Sequence, residues 1–416
     1  MTIRTVLSAC YKIKERLKNK VIIFFYSRYM KRLTKKVSCH RPVRILFYVY
    51  NLPMWKSDRL LTLLLKDSRF EPIIASYPKT SDSPASKRKL ETELSTHFGR
   101  LGANYMSGFD FEKNELYPVS KFNADMVFYP QPYKNKLKEM PRKVLLAYIP
   151  YCFEMDNMKR ITNTLYQNLC WKYFVSTSLH KELKIRQNYN KGSNVVVTGY
   201  PLADDFYDGH TPSADMWPSA DPDLKRIIWA PHHTIRPNEW LDYSNFLDIA
   251  EQMIEIAEKY KDKVQFIFKP HPLLKEKLYN IQSWGVERTD AYYDKWLRMP
   301  NCNLAEGDYV DLFMTSDALI HDCSSFKAEY LYVNKPVLYF TMKESFDTFN
   351  SFAMECYQVH YHGSTITDLE SFIDNVIDGV DPLYDLRTKF ICDYIKPTGN
   401  TTVAENIYNE LCKIFE

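Results

Sequence analysis

The chain has 416 residues and a mass of 49.3 kDa, with 45% apolar side chains, 25% charged side chains and a formal net charge of +4. That composition excludes wholesale disorder and leaves room for two or three domains with sizeable cores. The charge is uneven: residues 1–40 hold 11 Lys and Arg against one acid, Glu15, which leaves 44 basic and 50 acidic residues for the remainder and argues against a nucleic-acid binder.

In chain order, the basic head comes first. Basic residues flank Ile13, Leu17, Val21, Phe24 and Phe25, and the longest apolar run, Val21–Tyr26, lies between Lys20 and Arg28. A spanning helix needs about 20 apolar residues, and no small-residue cleavage site follows. Residues 1–40 therefore read as a basic amphipathic helical segment for an anionic membrane surface, where each basic residue adds about 1 kcal/mol. The bland alternative is a basic helix packed on the body.

The nine Cys are odd in number and widely spaced, with no C-x-x-C. They form neither a disulfide framework nor a zinc site, and they fit a reducing cytoplasm. The 11 Gly form neither G-x-G-x-x-G nor G-x-x-x-x-G-K. A phosphate site must then use something other than a glycine cradle.

Residues 41–207 alternate short apolar runs with helical segments. Arg44–Tyr50, Glu71–Ser76, Asp125–Tyr129, Val144–Ile149 and Asn194–Val197 read as strands, and Ser57–Lys66 as a helix. Such alternation predicts a mostly parallel sheet covered by helices. Residues 208–223, with three Pro and several Ser and Asp, read as a linker. A second series fills 224–400: strands at Arg226–Ala230, Val264–Phe268, Ala318–Ile320 and Pro336–Phe340, helices at Leu241–Tyr260, Ser324–Val333 and Asp368–Ile377. Thr367 and Glu370 have capping-box spacing. Residues 401–416 close the chain as a helix from Val403 to Phe415. The expected fold is α/β, with two open domains and a ligand cleft at the carboxyl ends of the strands.

Three strand ends in the second half carry polar residues that folding alone does not need. They are Pro231-His232-His233-Thr234, Lys269-Pro270-His271-Pro272 and His321-Asp322-Cys323-Ser324-Ser325. In a parallel sheet all three lie on one edge. Asp322, Ser324 or Ser325 can cap the following helix, whose free N–H groups and dipole attract an anion. Glu329 can accept hydrogen bonds from a ribose. Lys269 offers a point charge to phosphate, and His271 a general acid or a stabiliser of a leaving phosphate. Adjacent histidines on an extended segment point to opposite sides. His232 and His233 therefore read as one structural and one cleft residue rather than a metal pair, and no metal site is expected.

The ordered set of Lys269-Pro270-His271-Pro272, then Ser316-Asp317, Asp322, Ser324-Ser325 and Lys335-Pro336, resembles the CDP-glycerol glycerophosphotransferase family of teichoic-acid and capsule synthesis. The likeness is strongest over about residues 225–345, and the stretches LFYVYNLPMWKSDRL and FYPQPY look like a subgroup of the same family. The resemblance implies a GT-B-like architecture of two Rossmann-like domains with an interdomain cleft, the nucleotide being held by the C-terminal one. It implies metal-independent transfer of glycerol phosphate, or a related polyol phosphate, from a CDP-linked donor to a lipid-linked glycan or polymer acceptor at the cytoplasmic membrane face, with no other cofactor. His271 would contact or protonate the departing phosphate, and Ser324 and Ser325 would bind the pyrophosphate. One departure stands out. The family's W-H-G-T element, whose histidine is the proposed acceptor base, is replaced here by Tyr148-Ile149-Pro150-Tyr151-Cys152-Phe153-Glu154. Glu154 and Asp156 are candidate bases by chemistry, and His232 or His233 by reach. A glycosyltransferase using a CMP- or UDP-sugar, and an inactive scaffold subunit of a polysaccharide complex, are the competing readings.

Overall fold

The computed structural model describes residues 3–235, 242–342, 346–397, 399 and 401–416, without the side chains of residues 3–13, 15 and 16. The expected contribution of the Ile13 side chain and the expected helix start at Leu241 lie outside the described residues. Two compact units form: Met1–Asp204 with Pro397–Glu416, and Asp205–Lys396.

The first unit is built on seven parallel strands: β1 (Val43–Val49), β2 (Phe70–Ser76), β3 (Asn104–Met106), β4 (Met126–Phe128), β5 (Leu145–Tyr148), β6 (Lys172–Val175) and β7 (Val195–Val197). Their order is β3-β2-β1-β4-β5-β6-β7. The apolar runs are continuous rather than alternating because helices cover both faces. In β1 every side chain but that of Arg44 is buried.

The N-terminal helix Ile3–Val37 lays one face on this unit. Ile23, Met30, Leu33 and Val37 are buried, and Ile23 joins the core around Leu46, Val127 and Leu146. Among the described residues no helix is long and apolar enough to cross a membrane. The C-terminal helix Val403–Cys412 also belongs here and is not a separate appendage. Both carboxylate oxygens of Asp204 accept its first N–H groups, from Val403 at 2.7 Å and Ala404 at 2.9 Å. Tyr408 donates to Asp67 at 2.7 Å. Gly199, at φ +99°, lets this helix come close: a Cβ there would stand 2.6 Å from Val403 Cγ2.

The second unit has six parallel strands: β8 (Lys225–Ala230), β9 (Val264–Phe268), β10 (Cys302–Leu304), β11 (Ala318–His321), β12 (Val337–Phe340) and β13 (Tyr361–Gly363). Their order is β10-β9-β8-β11-β12-β13. Trp229, Phe246, Phe268 and Trp296 stack in its core, with centroid separations from 5.0 to 6.3 Å. The expected linker 208–223 is tied into this unit. Trp217 is buried and its indole N–H donates to Thr315 at 2.9 Å, and Ser219 N–H donates to the Gln265 side chain at 2.8 Å. Its Pro, Ser and Asp residues supply turns along a strap, not a free spacer.

Local differences have local causes. The first long helix of this unit runs Phe246–Lys259. The Ser324–Val333 segment is one short α-turn, Phe326–Glu329, continued as the 3₁₀ turn Tyr330–Val333. The capping box sits two residues earlier than its spacing suggested. Thr365 Oγ1 accepts from Asp368 N–H, and Asp368 accepts from Thr365 N–H at 2.9 Å. In both sheets the first and fourth strands are neighbours and the order reverses between them. That is the switch point where open α/β sheets bind ligands.

Candidate active site

The second unit's switch point lies between β8 and β11, and the polar strand ends meet there. His271 N–H donates to Pro231 O at 3.1 Å, and His232 N–H to Asp322 Oδ1 at 2.5 Å. The side-chain nitrogens of His232, His233 and His271 all lie within 4.8 Å of one another. The two adjacent histidines thus share a side, against the expectation of opposite ones. The segment is not extended there: Ile235 N–H bonds back to His233 O at 3.0 Å, a two-residue reversal that swings both rings toward His271.

Hydrogen bonds select the tautomers. His271 Nδ1 accepts the Leu273 N–H at 3.1 Å, so its proton sits on Nε2. His232 Nδ1 is 3.0 Å from Thr234 Oγ1, which already accepts N–H groups from Tyr243 at 2.9 Å and Ser244 at 3.2 Å. With both lone pairs used, the threonine donates its hydroxyl proton to His232 Nδ1, and His232 also carries its proton on Nε2. Burial, and next the neighbouring His233 and Lys277, push His271 down to about 3. Burial, His233 and His271 push His232 well below its usual value. At neutral pH both rings are uncharged N–H donors. In these tautomers both Nε2 atoms carry protons that can be donated to an acceptor oxygen.

The remaining expected donor-site residues divide. Lys269 is buried and donates to Gly307 O at 2.8 Å. Ser324 and Ser325 are half-buried at the end of β11, and Ser325 makes no side-chain cap. Asp322 and Glu329 are structural. Asp322 spends one oxygen on His232 N–H and the other on Asn245 N–H at 2.7 Å, pinning two loops together. Glu329 is buried and accepts a hydrogen bond from the Tyr309 hydroxyl.

On the first unit, the switch point between β1 and β4 opens as a shallow recess that reaches across to the end of β5. Tyr50, Met54, Trp55, Tyr129, Ile149 and Tyr151 are among its walls. Tyr151 stands where the family's histidine was sought, and no histidine is among the residues that line the recess. These wall residues were missed by sequence reasoning because aromatics at strand ends read as core. The signal was present in Tyr50-Asn51-Leu52-Pro53, where an aromatic run breaks into a turn.

Glu154 does not line the recess. Its Oε1 accepts from Tyr173 OH at 2.6 Å and from Lys184 Nζ at 3.0 Å, and Lys184 is fully buried. Burial pushes the Glu154 carboxyl up, but Lys184, His180 and Tyr173 outweigh it and hold it below the ordinary range. Such a carboxylate is an ion-pair partner and a weak base. Asp156 is likewise absent from the lining.

The model of the CDP-Glycerol:Poly(glycerophosphate) glycerophosphotransferase family matches residues 152–413. The chain belongs to that family. Among curated relatives, the minor teichoic acid biosynthesis protein GgaB of Bacillus subtilis is 24% identical over 76% of this chain and 32% of its own length. The teichoic acid poly(ribitol-phosphate) polymerase of Bacillus spizizenii is 28% identical over 38% of this chain and 25% of its own. The chain thus spans a third or less of the length of these relatives. A variant of the wall teichoic acid polymerase TagF superposes with a TM-score of 0.59 at 12% identity, covering 98% of each chain. A UDP-GlcNAc 2-epimerase from Neisseria meningitidis superposes at 0.54 and 15% identity, covering 89% of this chain and 99% of its own. At these identities the likeness describes the fold, which is GT-B-like with two parallel-sheet units.

Proposed function

We propose that the protein transfers glycerol phosphate, or a related polyol phosphate, from a CDP-linked donor to a hydroxyl of a membrane-linked glycan or teichoic-acid-like acceptor, releasing CMP. Family membership over 152–413 carries the reading, and the polar edge of the second sheet supports it. The acceptor oxygen forms a bond to the distal phosphorus of the donor as the pyrophosphate bridge to that phosphorus breaks. The bridging oxygen leaves on CMP, and the acceptor's hydroxyl proton is released to solvent as it departs. His271 and His232 then offer Nε2–H groups to oxygens of the departing phosphate, with Lys269 nearby and Ser324 and Ser325 at the end of the adjacent strand. Neutral imidazoles are suited to the role: a phosphate arriving beside them raises their pKa and draws a proton toward the anion. Transfer needs no metal at the histidine cluster, since the tautomers present protons rather than lone pairs.

The N-terminal helix supports peripheral attachment to an anionic membrane on the cytoplasmic face. Opposite its docked face, Leu17, Val21, Phe24 and Phe25 are each more than half exposed, interleaved with Lys14, Lys18, Lys20 and Arg28. Apolar burial plus basic charge is the composition of an interfacial helix. The deciding experiment is a donor screen on the full chain that follows CMP or UDP release. CDP-glycerol or CDP-ribitol turnover is expected, stimulated by a lipid-linked glycan and insensitive to chelator. Turnover of sugar nucleotides alone would overturn the reading.

A further inference from the structure

We propose that the recess at the carboxyl edge of the first sheet is a subsite for a sugar ring, with Trp55 as its stacking platform. The inference rests on the transferase reading only for the recess's place in the reaction; the binding itself stands on the recess alone.

The recess is aromatic on several sides and carries few charges. Tyr50, Trp55, Tyr129 and Tyr151 supply ring surface, and Lys56 is the one charged residue among those that line it. Asn51 and Ser57 add polar groups between the rings. A chain of polyol phosphates carries one negative charge per unit and calls for several cations. A prenyl tail calls for apolar walls without polar interruptions. A pyranose has an apolar C–H face and an edge of hydroxyls, which matches aromatic faces with a few hydrogen-bonding groups between them.

Trp55 is held as a platform should be. It is half-buried, and its ring stands nearly perpendicular to those of Phe47, at 5.6 Å and 89°, and Phe98, at 5.3 Å and 86°. Its indole N–H donates to Asp58 Oδ1 at 2.6 Å, and Asp58 is held in turn by His97 Nε2 at 3.0 Å. A side chain fixed before the ligand arrives loses little freedom on binding. Asp58 and His97 are therefore positioning residues for the platform; neither lines the recess.

The test is saturation-transfer NMR on the full chain without donor. The probes are the methyl β-glycosides of glucose, galactose and N-acetylglucosamine, with glycerol 3-phosphate as the contrast. At least one glycoside should receive saturation at its ring C–H protons. Trp55→Ala should weaken its binding at least tenfold, Trp55→Phe less, and Tyr151→Ala in the same direction as Trp55→Ala. Melting curves of each variant separate a lost site from a lost fold. Asp58→Asn should weaken glycoside binding and shift the tryptophan emission while Trp55 itself is intact. The proposal is overturned if no glycoside binds, if binding survives both Trp55 variants, or if glycerol 3-phosphate alone binds in a Trp55-dependent way. CMP release is measured separately, so a failed transferase reading and a failed sugar subsite give different results.

Discussion

The two sheets share one strand order and differ in what their switch points expose. At the second, three imidazole rings cluster at the strand ends, with a buried lysine and two serines on neighbouring strand ends. At the first, aromatic rings line a recess that no carboxylate lines, and Glu154, three residues beyond its wall residue Tyr151, is paired with a buried lysine. The backbone therefore supplies a place for a ligand twice, and side-chain chemistry alone decides which ligand.

The largest expected effect tests the polar edge. His271→Ala should lower CMP release from the donor by about 10² or more, because the group removed acts on the leaving phosphate. The measurement is steady-state turnover with circular dichroism to confirm folding. An unchanged rate would mean that the second sheet's edge binds but does not act, and the contrast between the sheets would lose its chemical content.

The next tests whether Glu154 belongs to chemistry or to architecture. Glu154→Gln leaves Lys184 buried without its counter-charge, which costs about 3–5 kcal/mol. Urea unfolding followed by far-UV circular dichroism should show that loss. A variant of native stability with abolished turnover would instead make Glu154 the acceptor base and give the first sheet a catalytic group.

Acid should separate the two regions. Four buried histidines with depressed pKa values lie in the second unit: His232, His271, His321 and His360, with His271 and His360 at about 3. The first unit has one among the described residues, His180, at about 4. Each folded pKa lies below the unfolded value near 6.5. The unfolded chain therefore takes up protons first, and stability falls as pH drops from about 6.5 toward those folded values. Hydrogen exchange at pH 5 against pH 7 should deprotect β11 and β12 more than β5 and β6. Equal loss in both units would show that these rings do not carry the acid response.

Much of this was legible in the chain, for a physical reason. Strands buried on both faces are continuous apolar runs, so β1, β8, β9 and β12 stood out, and polar residues directly after them marked the donor edge. What escaped was set by bonds between segments distant in sequence. Asp322 resembles a ligand residue until Asn245 and the His232 backbone are seen to occupy it. The His232-His233 pair was misplaced because a period of two holds only for extended chain, and the backbone turns there. Trp55 and Tyr151 were invisible because an aromatic side chain reads the same in a core as in the wall of a recess. Deleting residues 1–38, the obvious test of membrane binding, is now unsuitable, since Ile23, Met30, Leu33 and Val37 are core. Leu17→Glu with Phe25→Glu keeps the docked face, and should reduce co-sedimentation with anionic vesicles several-fold while leaving the melting temperature in place.

The smallest effect concerns the strap that replaces the expected linker. His210 bonds through one ring nitrogen to Asp208 and through the other to Asp311, at 2.6 Å for the latter, fastening the strap to the helix Val310–Thr315. Hydrogen bonds to the two carboxylates, Asp311 first, raise its pKa above the usual value. A raised value means the fastening is complete below about 6.5 and is lost as pH climbs through the folded pKa. Amide exchange across residues 208–216 should therefore quicken with alkali beyond the intrinsic base-catalysed increase. In His210→Gln that excess should vanish, because the substituted side chain has no proton to lose. The pH response is opposite in sign to that of the buried histidines. One pH series on the wild-type chain thus reads both: the core of the second unit loosening toward acid, its strap toward base. If the strap loosened toward acid instead, His210 would be a neutral spacer, and the hold on residues 208–223 would rest on contacts such as those of Ser213, Met216, Trp217 and Ser219.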